Sequence, residues 1–87
     1  MWHLYILKCS DGSLYTGVST DVARRFKEHR DGKGSKALRA KRPVKVVYRE
    51  KFSTRSLAQV REVQIKRWTR AKKLALISGD PGTLKKL

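Results

Sequence analysis

At 87 residues the chain has room for one compact domain and no second core, and a chain of this size buries only roughly 60–65% of its unfolded surface. Lys and Arg number 22 against 7 Asp and Glu; the formal net charge of +15 makes the compact state repel itself unless a polyanion lies against it, which points to nucleic acid. A hydrophobic content of 39% excludes a disordered chain, the single cysteine (Cys9) excludes an intramolecular disulfide and cysteine-type zinc sites, and no apolar run approaches the ~18 residues of a membrane span or makes a signal peptide, so no membrane partner and a cytoplasmic location are expected.

Trp2 to Cys9 is dense in aromatic and aliphatic residues. Trp2, Leu4 and Ile6 point one way and His3, Tyr5, Leu7 and Cys9 the other, and both sets are largely apolar, which predicts a central strand covered on both faces. Ser10-Asp11-Gly12-Ser13 is a hairpin turn. A two-residue loop would pair Lys8 with Tyr15 and put Tyr15 on the face opposite Tyr5. A three-residue loop, with Gly12 left-handed and a bulge, pairs Cys9 with Ser13, Leu7 with Tyr15 and Tyr5 with Gly17. Only the longer loop sets the two tyrosines on one face, so a shared site at this hairpin requires it.

Leu14 to Val18 reads as the second strand. Ser19 or Thr20 is the expected cap of the next helix, with Asp21 in its first turn. That helix should run to about Arg30, where Asp31-Gly32-Lys33-Gly34 stops it. With Val22 at zero and about 100° per residue, Phe26 falls near ~40°, His29 near about −20° and Arg25 near about −60°, so Arg25 and His29 share the core-facing side. Arg24 and Glu28 face elsewhere and form an ordinary surface pair. Gly34 to Pro43 is a basic connection with one helical turn expected around Ala37 to Ala40. Val44 to Phe52 reads as a third strand. Ser53 or Thr54 should cap a second long helix with Leu57, Ala58, Ile65 and Trp68 on one arc. A break near Thr69–Arg70 separates it from a helix over Ala71 to Ile77. The order β-β-α-β-α-α predicts an α+β domain over residues 1–78, its sheet flanked by helices on both faces, with a tail over 79–87.

Five residues carry the candidate chemistry. A guanidinium on the core side of a helix needs a partner, so Arg25 is either ion-paired, for instance with Glu62, or a phosphate clamp. His29, one turn on, is a proton acceptor or relay near neutral pH if it is more than a hydrogen-bonded core histidine. Tyr5 and Tyr15 fill a sheet face at least, and a pocket holding an arginine and a metal would lower a phenol's pKa. Glu62 either pairs with Lys66 on the helix surface or serves as a lone carboxylate ligand for Mg²⁺. Lys33, Lys36, Arg39, Lys41 and Arg42, together with Lys66, Arg67, Arg70, Lys72 and Lys73, form the expected backbone-binding surface, which gives affinity without reading sequence. Trp68 reads as a core residue before a stacking platform.

This ordered set resembles the GIY-YIG nuclease superfamily. His3-Leu4-Tyr5 stands at the first tripeptide and Tyr15-Thr16-Gly17 at the second, followed at the family's intervals by Arg25, His29 and Glu62. The match runs from about Trp2 to Ile77 and is most similar to small stand-alone bacterial members with a Tyr-Thr-Gly second motif and a basic Lys-Arg-Trp/Arg-Ala-Lys-Lys segment. The resemblance implies a three-stranded antiparallel sheet flanked by helices and phosphodiester cleavage with one divalent ion, Mg²⁺ or Mn²⁺. By position, Glu62 would hold the metal and Arg25 would stabilise charge on the scissile phosphate. Tyr5 or Tyr15, with His29, would orient or deprotonate the attacking water. The first motif lacks its glycine and the chain contains no asparagine, which many members use late in the domain. The expected function is therefore an endonuclease of low sequence specificity acting on DNA rather than RNA, in repair or processing, with a protein partner supplying specificity. The alternative is a nucleic-acid-binding module without catalysis.

Overall fold

A computed structural model of the chain describes residues 1–33 and 42–79. The expected helical turn at Ala37–Ala40, the cations Lys36, Arg39 and Lys41, and nearly all of the tail lie outside the described residues. The elements run β1 (Trp2–Cys9), β2 (Leu14–Ser19), α1 (Val22–Arg30), β3 (Pro43–Phe52), α2 (Arg55–Lys66) and α3 (Arg70–Ser78). The three strands form one antiparallel sheet in the order β2-β1-β3, so β1 is central, as its two apolar faces predict. No helix among the described residues is long and apolar enough to cross a membrane.

The hairpin takes the longer loop. Gly12 has φ +84, its N–H donates to the Cys9 carbonyl at 2.9 Å, and the Cys9 N–H donates to the Ser13 carbonyl at 2.9 Å. Asp11 fixes the turn by accepting from the Ser13 N–H at 3.0 Å. The resulting register pairs Leu7 with Tyr15 and Tyr5 with Gly17.

Each face of the sheet has its own core. Tyr5, Leu7 and Cys9 are covered by Val22 and Phe26 of α1. On the other face Leu4, Ile6 and Ile65 pack with Trp68, Leu76 and Ile77 of the α2–α3 segment. Each fully buried aliphatic side chain of this kind contributes about 1.5–3 kcal/mol. The β1–β3 register slips between Ile6 and Leu7, where Tyr48 and Val46 are their partners and Val47 is the extra residue of a bulge. The bulge accounts for Val47 and the adjacent Tyr48 packing into the same core.

Three expectations are corrected. The cap of α1 is Asp21, whose carboxylate accepts from the Arg24 N–H, rather than Ser19 or Thr20. Ser19 is still in β2, and its hydroxyl instead accepts from the Asp21 N–H and donates to the Asp21 carbonyl. Leu57 is 52% exposed, because at one residue before buried Ala58 it lies about 100° off the core-facing line of α2. The last helix begins at Arg70, not Ala71, because Thr69 caps it by accepting from the Lys72 N–H.

Candidate active site

The site is built from two elements. The hairpin brings Tyr5 and Tyr15 to the α1 face of the sheet with ring centroids 6.4 Å apart. Helix α1 lays His29 against both, 6.3 Å from Tyr5 and 5.2 Å edge-on from Tyr15. Tyr5 Oη lies 3.1 Å from His29 Nε2, and each residue is 1% exposed. Tyr15 is only half-buried, so it is the ring that solvent reaches.

Gly17 is what allows the tyrosines to sit there. A Cβ on it would lie 2.6 Å from Tyr5 Oη, 2.8 Å from Tyr5 Cζ and 3.2 Å from Tyr15 Cε1. The requirement is close approach, not an unusual backbone conformation.

Burial dominates the electrostatics. It pushes the Tyr5 phenol up to about 12, with Tyr15 and Glu62 adding to the rise and Arg25 opposing it. The arginine's pull on Tyr5 is smaller than the desolvation of a phenolate, so Arg25 alone does not lower this phenol. His29 is shifted below the usual imidazole value, first by burial and then by the charge of Arg25. Both members of the pair are therefore neutral at pH 7.

Arg25 does point toward this pocket, since its charge acts on Tyr5 and His29. Its ion pair is with Glu28, not Glu62: Arg25 Nη1 donates to Glu28 Oε2 at 2.9 Å, and the arginine side chain remains 38% exposed. Arg24 Nε lies 3.6 Å from the other oxygen of Glu28. Glu28 thus holds both arginines, a role its position three residues after Arg25 makes reachable but that helical phase alone assigned to the outer surface.

Glu62 lies on α2, 20% exposed, with Lys66 Nζ 3.4 Å away, and its carboxylate acts on Tyr5. Among the described residues no three His, Cys, Asp or Glu side chains cluster as a metal cage. A donor set of one carboxylate suits Mg²⁺, which keeps several waters and takes substrate phosphate oxygens as further ligands. It does not suit a zinc site, which needs three or four protein ligands.

The basic residues divide. Lys33, Arg42, Arg67 and Arg70 are exposed. Lys66 is engaged with Glu62, and Lys72 Nζ sits 4.4 Å from the Trp68 ring centroid. Trp68 itself packs into the core, with the Arg61 guanidinium 5.1 Å from its centroid. Arg61 also grips Glu50 of β3 at 3.2 Å, and Glu50 accepts the Tyr48 hydroxyl. This clamp ties α2, the helix that carries Glu62, to the sheet; reading it required knowing how α2 lies on β3, which the sequence alone did not supply.

The GIY-YIG catalytic-domain profile matches residues 1–75. A UPF0213 protein of Staphylococcus saprophyticus is 50% identical over 76 residues, covering 87% of this chain and 93% of its own length. A UPF0213 protein of Cupriavidus necator is 45% identical over 82 residues, covering 94% and 89%. The solution NMR structure of a UPF0213 protein from Bacillus halodurans superposes with a TM-score of 0.59 at 41% identity, covering 100% of this chain and 97% of the other.

Proposed function

The chain belongs to the GIY-YIG family, a family of nucleases, and from that premise we propose that it is an endonuclease hydrolysing phosphodiester bonds in nucleic acid with one divalent ion. The observation that carries the proposal is the meeting of Tyr5, Tyr15 and His29 on one face of the hairpin, with the half-exposed Arg25 near enough for its charge to act on Tyr5 and His29. Arg25 binds the scissile phosphate through its planar fork and stabilises the charge that builds on it. Tyr15, the accessible ring, orients the attacking water. Tyr5 and His29 form the hydrogen-bonded pair behind it, with neutral His29 as the terminal proton acceptor and Tyr5, protonated below pH ~10, as its relay and anchor. Glu62 would hold the ion, which when bound supplies Lewis-acid polarisation of the phosphoryl oxygen and a more acidic water. The basic surface supplies affinity without base readout, so low sequence specificity follows. The family resemblance favours DNA over RNA, in repair or processing.

The test is incubation with branched, nicked and linear DNA and with RNA, each with and without Mg²⁺ or Mn²⁺. Ion-dependent cleavage of at least one DNA substrate is expected. Binding without cleavage on every substrate would leave a nucleic-acid-binding module, the reading that the net charge of +15 supports by itself.

A further inference from the structure

Behind the tyrosines, on the opposite face of the same hairpin end, lies a second cleft of ≈ 250 Å³. Its floor is apolar, made by Leu14, Val47 and Leu74, and its rim carries Lys8, Lys45 and Arg70. Leu74 is 43% exposed although it stands next to buried Ala75. Among the described residues no carboxylate lines the cleft. None of the three cations makes an ion pair among the described residues, and Arg70 Nη2 lies over the hairpin turn, 3.9 Å from where a Cβ on Gly12 would be.

These charges sit where they oppose folding. Lys8 and Lys45 are direct cross-strand partners, an arrangement in which like charges destabilise a sheet. Arg70 opens α3, whose first turn has no acidic residue and also contains Lys72 and Lys73, so cations crowd the positive end of the helix dipole. Two independent unfavourable placements converging on one cleft are explained by an anionic occupant that neutralises them. The apolar floor asks in addition for a planar, poorly hydrated group. The volume lies below the roughly 300–1,000 Å³ of a site that encloses a whole drug-sized ligand, which suits one base with its phosphates outside.

We infer that this cleft is a nucleotide subsite: its floor takes one unpaired base of a single-stranded segment of the substrate, and Lys8, Lys45 and Arg70 take the flanking phosphates. The inference rests on the proposed nuclease function and names a feature of its substrate. The connection to the active site is short. Leu14 on the floor is followed in β2 by Tyr15 on the other face, and β2 is an edge strand. A strand leaving Tyr15 has only to turn round that edge to reach Leu14. A single strand makes that turn, whereas a duplex, stiff over some 150 base pairs, does not. The protein would then select nucleic acid with an unpaired flank beside the scissile bond.

The experiment is an amide NMR titration of the ¹⁵N-labelled protein, without divalent ion, using a ten-residue oligothymidylate, the matching oligouridylate, a blunt duplex and thymidine monophosphate. Single strands are expected to shift the amides of Lys8, Leu14, Lys45 and Leu74 more than the duplex does, and the monophosphate is expected to shift the same set at higher concentration. Arg70→Glu should weaken single-strand binding roughly five- to ten-fold and lower the salt slope by about 0.7 for each phosphate left without its cation. Lys45→Glu separates binding from structure. Placed opposite Lys8, it should raise Tm by about 2–6 °C while weakening the same binding. Single-strand binding that shifts the Tyr15 and Arg25 amides but leaves the cleft amides still, or a Lys45→Glu variant with undiminished affinity, overturns the subsite and leaves the function standing. No binding of any nucleic acid overturns both.

Discussion

Gly17→Ala tests whether close packing holds the tyrosine pocket in place. The new Cβ would stand 2.6 Å from Tyr5 Oη, and relief to the 3.4 Å of ordinary contact moves the phenol by about 0.8 Å. Tyr5 is 1% exposed and bonded to His29 Nε2 at 3.1 Å, so a shift of this size strains that bond. Overpacking of this kind costs about 1–3 kcal/mol, and for a domain of this size each kcal/mol lowers Tm by about 4–8 °C, so a fall of roughly 5–20 °C is expected. A displacement near 1 Å in a positioned group costs on the order of 10²-fold in rate, so cleavage should drop by about that factor in whatever protein remains folded. Thermal melts and single-turnover cleavage measure the two effects separately. A Tyr5→Phe/Gly17→Ala double variant removes the atom at 2.6 Å but leaves Cζ at 2.8 Å, and should recover part of the Tm and none of the rate. In a strand interior without such a neighbour, Gly→Ala stabilises by roughly 0.5–1 kcal/mol, so a Gly17→Ala protein that melts higher and cleaves normally would refute the reasoning.

Glu28→Gln releases Arg25 from a carboxylate that competes with phosphate, so affinity for nucleic acid at low salt should rise several-fold, most of it lost on Arg25→Ala in the same background. Stability should change by less than ~1 kcal/mol because the pair is part-exposed. His29 titrates below its ordinary 6.5 in the folded protein, so the unfolded chain binds the extra proton first. Its contribution to stability is complete above about pH 6.5 and is lost as pH falls from there through the lower folded value; Tm should fall over that window, and less steeply in His29→Gln. Tyr5 has the opposite sense: raised from 10 to about 12, it contributes stability below pH 10 that is lost as pH climbs toward 12, a loss Tyr5→Phe should reduce.

Much of this architecture is written in local patterns. Period-two alternation placed both faces of β1, and the choice between two loop lengths at Gly12 was already the choice between one pocket and none. Helical phase put His29 inward. The same phase gave the Arg24–Glu28 surface pair and set Arg25 toward the pocket, but it did not give the Arg25–Glu28 bond, since it fixes where a Cβ points and not where a long side chain ends. Leu57 failed for a related reason, being apolar but one position off the buried line. The cap of α1 was missed because Ser19, an eligible cap, was still strand. Non-local pairings were not legible at all. The Arg61–Glu50 contact depends on how α2 lies on β3, and the Lys8–Lys45 pair depends on the β1–β3 register, which two bulges shift.

Single-turnover cleavage of nicked and branched DNA by the wild type, Glu62→Ala and Arg25→Ala, each titrated with Mg²⁺, tests the central claim most directly. The account predicts a wild-type rate that rises with Mg²⁺ and saturates, and losses of at least roughly 10²-fold in both variants with their folds intact. Equal cleavage by all three proteins, or wild-type cleavage indifferent to the ion, would contradict it.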